Sequence, residues 1–245
     1  MTINTKLLKA FIAASLLAGL FACKKAQVSA VSPSNDDAAV LLAGSLATNN
    51  YGMSYLSNDI SYTALVNDLK CGGEKIDSAT RKSNPGTVAN YNYKIKYTNK
   101  VTCNTSNLPD YITNTLTYNG SFEGPKLKVS SLGSTSYRIG GLTPTATSHI
   151  LNGEYKNTTQ FKFKTDTTNH GTVNIYLGVK NLLISKTNNT IISGTATVII
   201  TGSSSKKTSF SYNGALTFNN ASSALLSLNG AEYYIDLITG EAVKK

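Results

Sequence analysis

The chain has 245 residues, a formal net charge of +10, 40% hydrophobic and 15% charged residues, and no tryptophan. That length suits one or two domains with a full core, and that hydrophobic share excludes a disordered chain. Thr, Ser, Asn, Tyr and Gly dominate, a composition of strands and turns that points to an exported β protein rather than a cytosolic enzyme.

Lys6 and Lys9 open the chain as a basic region, and Ala10 to Ala22 follow as an apolar run broken only by Ser15 and Gly19. Thirteen residues are too few to span a bilayer, so residues 1–22 read as an export signal. The run ends Leu20-Phe21-Ala22-Cys23, which resembles a bacterial lipobox. The resemblance implies lipidation at the Cys23 thiol, cleavage before it, and a membrane partner reached through the lipid. The alternative is an ordinary signal cleaved after Ala30, leaving a soluble periplasmic chain. Loss of Lys6 and Lys9 leaves the mature chain at about +8, a balance that favours anionic partners or surfaces.

Residues 23–33 read as a tether, and 34–245 as a single globular domain with a helical region over 34–72 and a β-meander over 88–245. Ser34 with Asp37 three residues on is a helix N-cap signature. Ala38, Leu41, Leu42, Ser45 and Leu46 then share one helical stripe, and Asn49-Asn50-Tyr51-Gly52 breaks it. Met53, Leu56, Ile60, Ala64, Leu65 and Leu69 form a second stripe, ended by Gly72. Both apolar faces are expected to pack on the sheet. With Cys23 acylated, Cys71 and Cys103 remain as an even pair in an oxidising compartment, so a disulfide is expected.

From about Val88 the hydrophobic period becomes two. Tyr91, Tyr93, Ile95 and Tyr97 alternate with Asn92, Lys94, Lys96 and Thr98, and Phe161 and Phe163 alternate with Lys162 and Lys164. The apolar set is expected inside and the lysines outside. Turn signals recur at Asn119-Gly120, Gly140-Gly141, Asn152-Gly153, Asn188-Asn189, Gly202-Ser203-Ser204, Asn213-Gly214, Asn219-Asn220 and Asn229-Gly230. The expected fold is therefore mainly β (α+β), with the helical region packed on an antiparallel meander closed as a barrel or sandwich.

No nucleotide, metalloprotease, serine-hydrolase or EF-hand signature occurs, and no cofactor or metal is expected. His149 and His170 read as surface histidines. Glu123, Glu154 and Asp166 are the β-region carboxylates from which a glycan hydrolase would need to draw a pair, and nothing in sequence pairs them. Lys94/Lys96, Lys126/Lys128 and Lys162/Lys164 each sit two apart and so share a strand face. Aromatics occupy the opposite face, which argues against single-stranded nucleic acid, whose binding needs both on one surface. The bland reading is a solvated face with edge-protecting lysines; the sharper one is a cationic face for an anionic glycan or an envelope surface.

Asp77-Ser78-Ala79 and Asp166-Thr167-Thr168 resemble the O-glycosylation tripeptide of Bacteroidota, which implies Ser78 and Thr167 as acceptors. The whole layout resembles uncharacterised Bacteroidota lipoproteins: lipobox, short helical region, Cys71-Gly72, then a meander ending Tyr233-Tyr234-Ile235-Asp236-Leu237-Ile238-Thr239-Gly240. That resemblance implies a location in the cell envelope and no particular activity. Lys24-Lys25 follow the Cys, where surface-displayed lipoproteins of that phylum tend to carry acidic residues, so the periplasmic face of the outer membrane is expected over the cell surface. The expected function is a lipid-anchored, non-enzymatic binding or structural module; the alternative is a carboxylate-dependent glycan hydrolase.

Overall fold

The computed structural model of the protein describes residues 33–65, 70–87 and 89–245. The signal segment, Cys23 and the tether up to residue 32 lie outside the described residues, as do Leu69 and Val88.

Helix α1 (Asn35–Leu46) starts as its sequence dictates. The Asp37 N–H donates to Ser34 Oγ at 3.1 Å, and the Ser34 N–H donates to Asp37 Oδ2 at 3.0 Å. This reciprocal box satisfies two of the donors that every helix start leaves open. The helix is enclosed on more than the expected stripe, because Ala39, Ala43 and Gly44 are buried alongside Leu41, Leu42 and Leu46. Small side chains all round fit a helix with protein on every side. One 3₁₀ turn (Thr48–Asn50) leads through Tyr51 and Gly52 to helix α2 (Met53–Leu65), whose Met53, Leu56, Ile60 and Ala64 point inward. Leu65, expected on that stripe, is exposed.

Eleven strands follow in an unbroken antiparallel meander: β1 (Glu74–Lys82), β2 (Asn90–Cys103), β3 (Pro109–Glu123), β4 (Leu127–Gly140), β5 (Ser148–Phe163), β6 (His170–Ser185), β7 (Ile191–Ser204), β8 (Lys207–Phe218), β9 (Ser223–Leu228), β10 (Ala231–Asp236) and β11 (Ala242–Lys244). Every strand pairs only with its neighbours in sequence, and β1 and β11 do not pair with each other. The expected closure as a barrel or sandwich is therefore not found. There is one sheet, open at its ends, and helices cover its buried face.

The sheet curls around α1. The helix packs on β9, β10 and β11, while the Gly44 backbone lies against Phe122 and Leu127 at the β3–β4 hairpin. Tyr155 Oη on β5 donates to the Ser45 carbonyl at 3.3 Å. A helix that touches both flanks and the middle of one sheet is wrapped by it. Period two then decides the faces as expected: Tyr93, Ile95, Phe161 and Phe163 are buried, Tyr91 and Tyr97 are half-buried, and Lys94, Lys96, Lys162 and Lys164 are exposed. Each buried Phe or Ile contributes roughly 1.5–3 kcal/mol.

Four expected turns are not turns. Asn119-Gly120 lies inside β3, Asn152-Gly153 inside β5, Gly202-Ser203-Ser204 at the end of β7 and Asn213-Gly214 inside β8. The register shifts at Leu151/Gly153, where Gly153 has φ +149° and a Cβ would sit 1.9 Å from the Ser136 carbonyl oxygen. This is a β-bulge that re-aims the strand without ending it. Strands of 14–16 residues result over β2–β7. Such strands are long enough to coil round a helix.

Strand β1 was not expected, and its sequence shows why. Glu-Lys-Ile-Asp-Ser-Ala-Thr-Arg-Lys carries no apolar alternation because most of the strand is exposed. As an edge strand it is guarded by charge, including Asp77 and Arg81 on the inward side. The expected disulfide is present and pins this edge: Cys71, just before β1, joins Cys103 at the end of β2 with Cα atoms 5.6 Å apart. Closing a loop of separation 32 stabilises by roughly 3–4 kcal/mol in the chain-entropy model. Replacing both cysteines by serine is expected to lower the thermal midpoint by roughly 6–14 °C. An unchanged midpoint would show that the bond contributes nothing to the fold.

Candidate functional site

Four of the six lysines singled out in the sequence gather at one end of the outer face. Lys128 on β4 lies directly across from Lys162 on β5, and Lys128 is also opposite Glu123 on β3. Glu123 accepts from Lys164 at 3.2 Å and lies 3.4 Å from Lys128. Their two hydrogen bonds hold its carboxyl below the usual carboxylate range. Lys126, at the β3–β4 hairpin, faces Glu241 across 3.5 Å. On the neighbouring hairpins Lys206 pairs with Asp166, whose carboxyl is lowered to about 2 by that bond and by Thr168. At this end five lysines face three carboxylates, so the cluster keeps a positive excess after pairing.

Lys94 and Lys96 do not join it. Lys94 is registered with Asn119, whereas the Lys128–Glu123 row meets β2 at Asn90. That is four residues along β2, roughly 13 Å, and two strands over, roughly 10 Å. Between them the outer face is neutral, carrying Thr117, Asn119, Ser121, Ser130 and Ser134. The two proposed glycan acceptors are accessible: Ser78 is exposed on β1, and Thr167 on the β5–β6 turn.

The second feature is the seam between the two flanks of the sheet. The Thr48 N–H donates to the Leu237 carbonyl at 2.8 Å and the Asn49 N–H to the Ile238 carbonyl at 3.1 Å. On the other side Tyr51 accepts from Arg81 Nε on β1 at 3.1 Å and packs on Tyr91 and Tyr93 of β2. Burial first, then the neighbouring Asp59, pushes the Tyr51 phenol well above its ordinary range, so it stays protonated. Two clefts flank this bridge. One, of about 370 Å³, lies between α1, the β3–β4 hairpin and the β10–β11 turn, with Val40, Phe122 and Leu127 in its wall. The other, of about 670 Å³, is bounded by the β1–β2 hairpin, Tyr55 and Tyr91. Sequence reading missed both, because their walls join segments more than 100 residues apart.

Inside the sheet, some of the buried polar side chains pair with one another, while others, such as Thr135 Oγ1, do not. Tyr118 Oη donates to Tyr155 Oη at 2.8 Å, Asn114 Nδ2 to Asn99 Oδ1 at 2.7 Å, and Ser131 pairs with Thr159 at 2.9 Å. His170 is exposed as expected, but His149 is not. It is 2% exposed at the start of β5, with Nδ1 2.8 Å from Ser61 Oγ on α2. The strand places it inward, in step with Leu151, and a neutral imidazole with one partner is tolerated there.

Glu123, Glu154 and Asp166 each lie beside a lysine, Glu154 with Lys156 at 2.6 Å. Glu123 and Asp166 are held on the acidic side of their ordinary range, whereas a general acid needs a raised value. Among the described residues no three His, Cys, Asp or Glu side chains group as a metal site would require, and no helix is long and apolar enough to cross a membrane. No protein-family model matches the chain, and no curated protein or solved structure matches it either.

His149 makes the stability of the fold depend on pH. Burial, and secondarily the charge of Lys186, lowers its value from 6.5 to about 4. The unfolded chain therefore takes up a proton that the folded chain refuses, and stability falls as pH drops from about 6.5 to about 4. The loss is about 1–3 kcal/mol. His149→Gln is expected to show a smaller fall in thermal midpoint between pH 7 and pH 4 than the parent. Parallel curves would mean that His149 titrates normally.

Proposed function

We propose that this chain is a lipid-anchored cell-envelope module that holds an anionic glycan or envelope surface through its cationic end, without performing catalysis. The lipid would sit on Cys23 and the domain would face the periplasm from the outer membrane. One observation carries the reading: Lys126, Lys128, Lys162 and Lys164 converge on one end of the sheet, and Lys128 and Lys162 stand directly opposite each other. Like charges placed opposite on a sheet destabilise it, so the pair is better explained by an external anion than by stability. The lysines are exposed, which suits a reversible, salt-sensitive contact rather than a tight one.

The test is retention of the protein on immobilised polygalacturonate, with neutral dextran as control and rising sodium chloride as eluent. The parent is expected to be retained on the anionic polymer alone and released as the screening length shrinks below about 10 Å. Lys128→Glu with Lys162→Glu should cut retention at least tenfold, while Lys94→Glu with Lys96→Glu should change it little. Equal loss in both double variants would reduce the cluster to general charge, and unchanged retention in the first would remove it from the function.

A further inference from the structure

The cleft of about 370 Å³ beside α1 has two properties that point to the same kind of ligand. Its walls include the apolar side chains of Val40 from α1, Phe122 and Leu127 from the ends of β3 and β4, and Ala89 and Pro125. Its mouth carries Lys126, and Lys126 belongs to the cationic cluster described above. We infer that this cleft binds a single-chain anionic amphiphile, with the tail against Val40, Phe122 and Leu127 and the carboxylate at Lys126.

Size, charge and backbone each restrict the occupant. A methylene is about the size of a water molecule, whose share of liquid volume is about 30 Å³, so the cleft takes roughly a dozen heavy atoms. That is one medium-length chain and not a two-chain lipid. The volume lies at the small end of ordinary ligand pockets. The Lys126–Glu241 pair spans the mouth at 3.5 Å, with both side chains about half exposed. An exposed pair contributes at most about 1 kcal/mol, so a ligand carboxylate can replace Glu241 as the partner of Lys126. Gly44, Gly124 and Gly240 line the cleft; at Gly44 and Gly240 an added Cβ would meet packed neighbours at 3.0–3.3 Å. At Gly124 an added Cβ would meet only the Phe122 ring, at 3.5 and 3.9 Å, so the space beyond it is free for a ligand rather than filled by packing. The inference does not depend on the glycan reading, although the two share Lys126.

Dodecanoate is the probe, titrated calorimetrically into the protein below its micelle concentration, with methyl dodecanoate as the uncharged control. Saturable one-to-one binding of dodecanoate is expected, weaker by at least tenfold for the ester. Val40→Phe and Gly124→Val fill the cleft from opposite walls, and each should weaken dodecanoate binding at least tenfold. Lys126→Ala should weaken it at least tenfold, to the level of the ester, and leave binding of the ester unchanged. Val40→Phe should leave retention on polygalacturonate unchanged, which separates failure of this site from failure of the cationic end. No saturable binding by the parent would overturn the inference, as would parental affinity in both Val40→Phe and Gly124→Val.

Discussion

Two backbone hydrogen bonds, Thr48 N–H to Leu237 O and Asn49 N–H to Ile238 O, fasten the segment between the helices to the last part of the sheet. From the next residue but one, Tyr51 reaches the other flank through Arg81, Tyr91 and Tyr93. The sheet ends are thus joined through a helical connector rather than to each other. This bridge demands a tight backbone. Tyr51 adopts φ +58°, and a Cβ on Gly52 would lie 2.5 Å from the Ser45 carbonyl oxygen, where only backbone surrounds it. A left-handed residue followed by an obligatory glycine turns α1 into α2 inside the curl.

The rest of the molecule follows from that geometry. An open sheet leaves β1 and β11 as edges, one guarded by charge and a disulfide, the other only three residues long. Both are known ways to discourage further strand pairing. The bridge fills only the middle of the seam, so clefts remain on either side of it. The clefts thus lie where closure fails. At one end of the outward face lie lysines whose neutralisation by Glu123, Asp166 and Glu241 is incomplete.

Much of this was legible in the sequence because local rules govern it. The Ser34–Asp37 box, the period-two face assignment and the Cys71–Cys103 pairing each depend on neighbours in the chain or on parity. Gly153 and Asn119-Gly120 misled because a glycine that permits a bulge or close strand approach looks in sequence like one that permits a turn. His149 was misplaced because its partner, Ser61, lies 88 residues away. Of the six lysines, four gather at one end of the sheet and two do not. Spacing puts lysines on a face but carries no register, and register alone separates Lys94 and Lys96 from the others. The clefts were invisible for the same reason, since Lys126 and Glu241 meet only when the sheet curls.

The connector between the helices holds the two flanks of the sheet together. Amide hydrogen exchange at Thr48 and Asn49 tests it most directly, because those two N–H groups make the bonds in question. If the bridge is integral, both amides open only with the whole domain and are protected as strongly as Leu177 and Val179 in the middle of β6. If both exchange at rates near those of a free peptide while β6 stays protected, the sheet holds its curl without the bridge and the account is wrong.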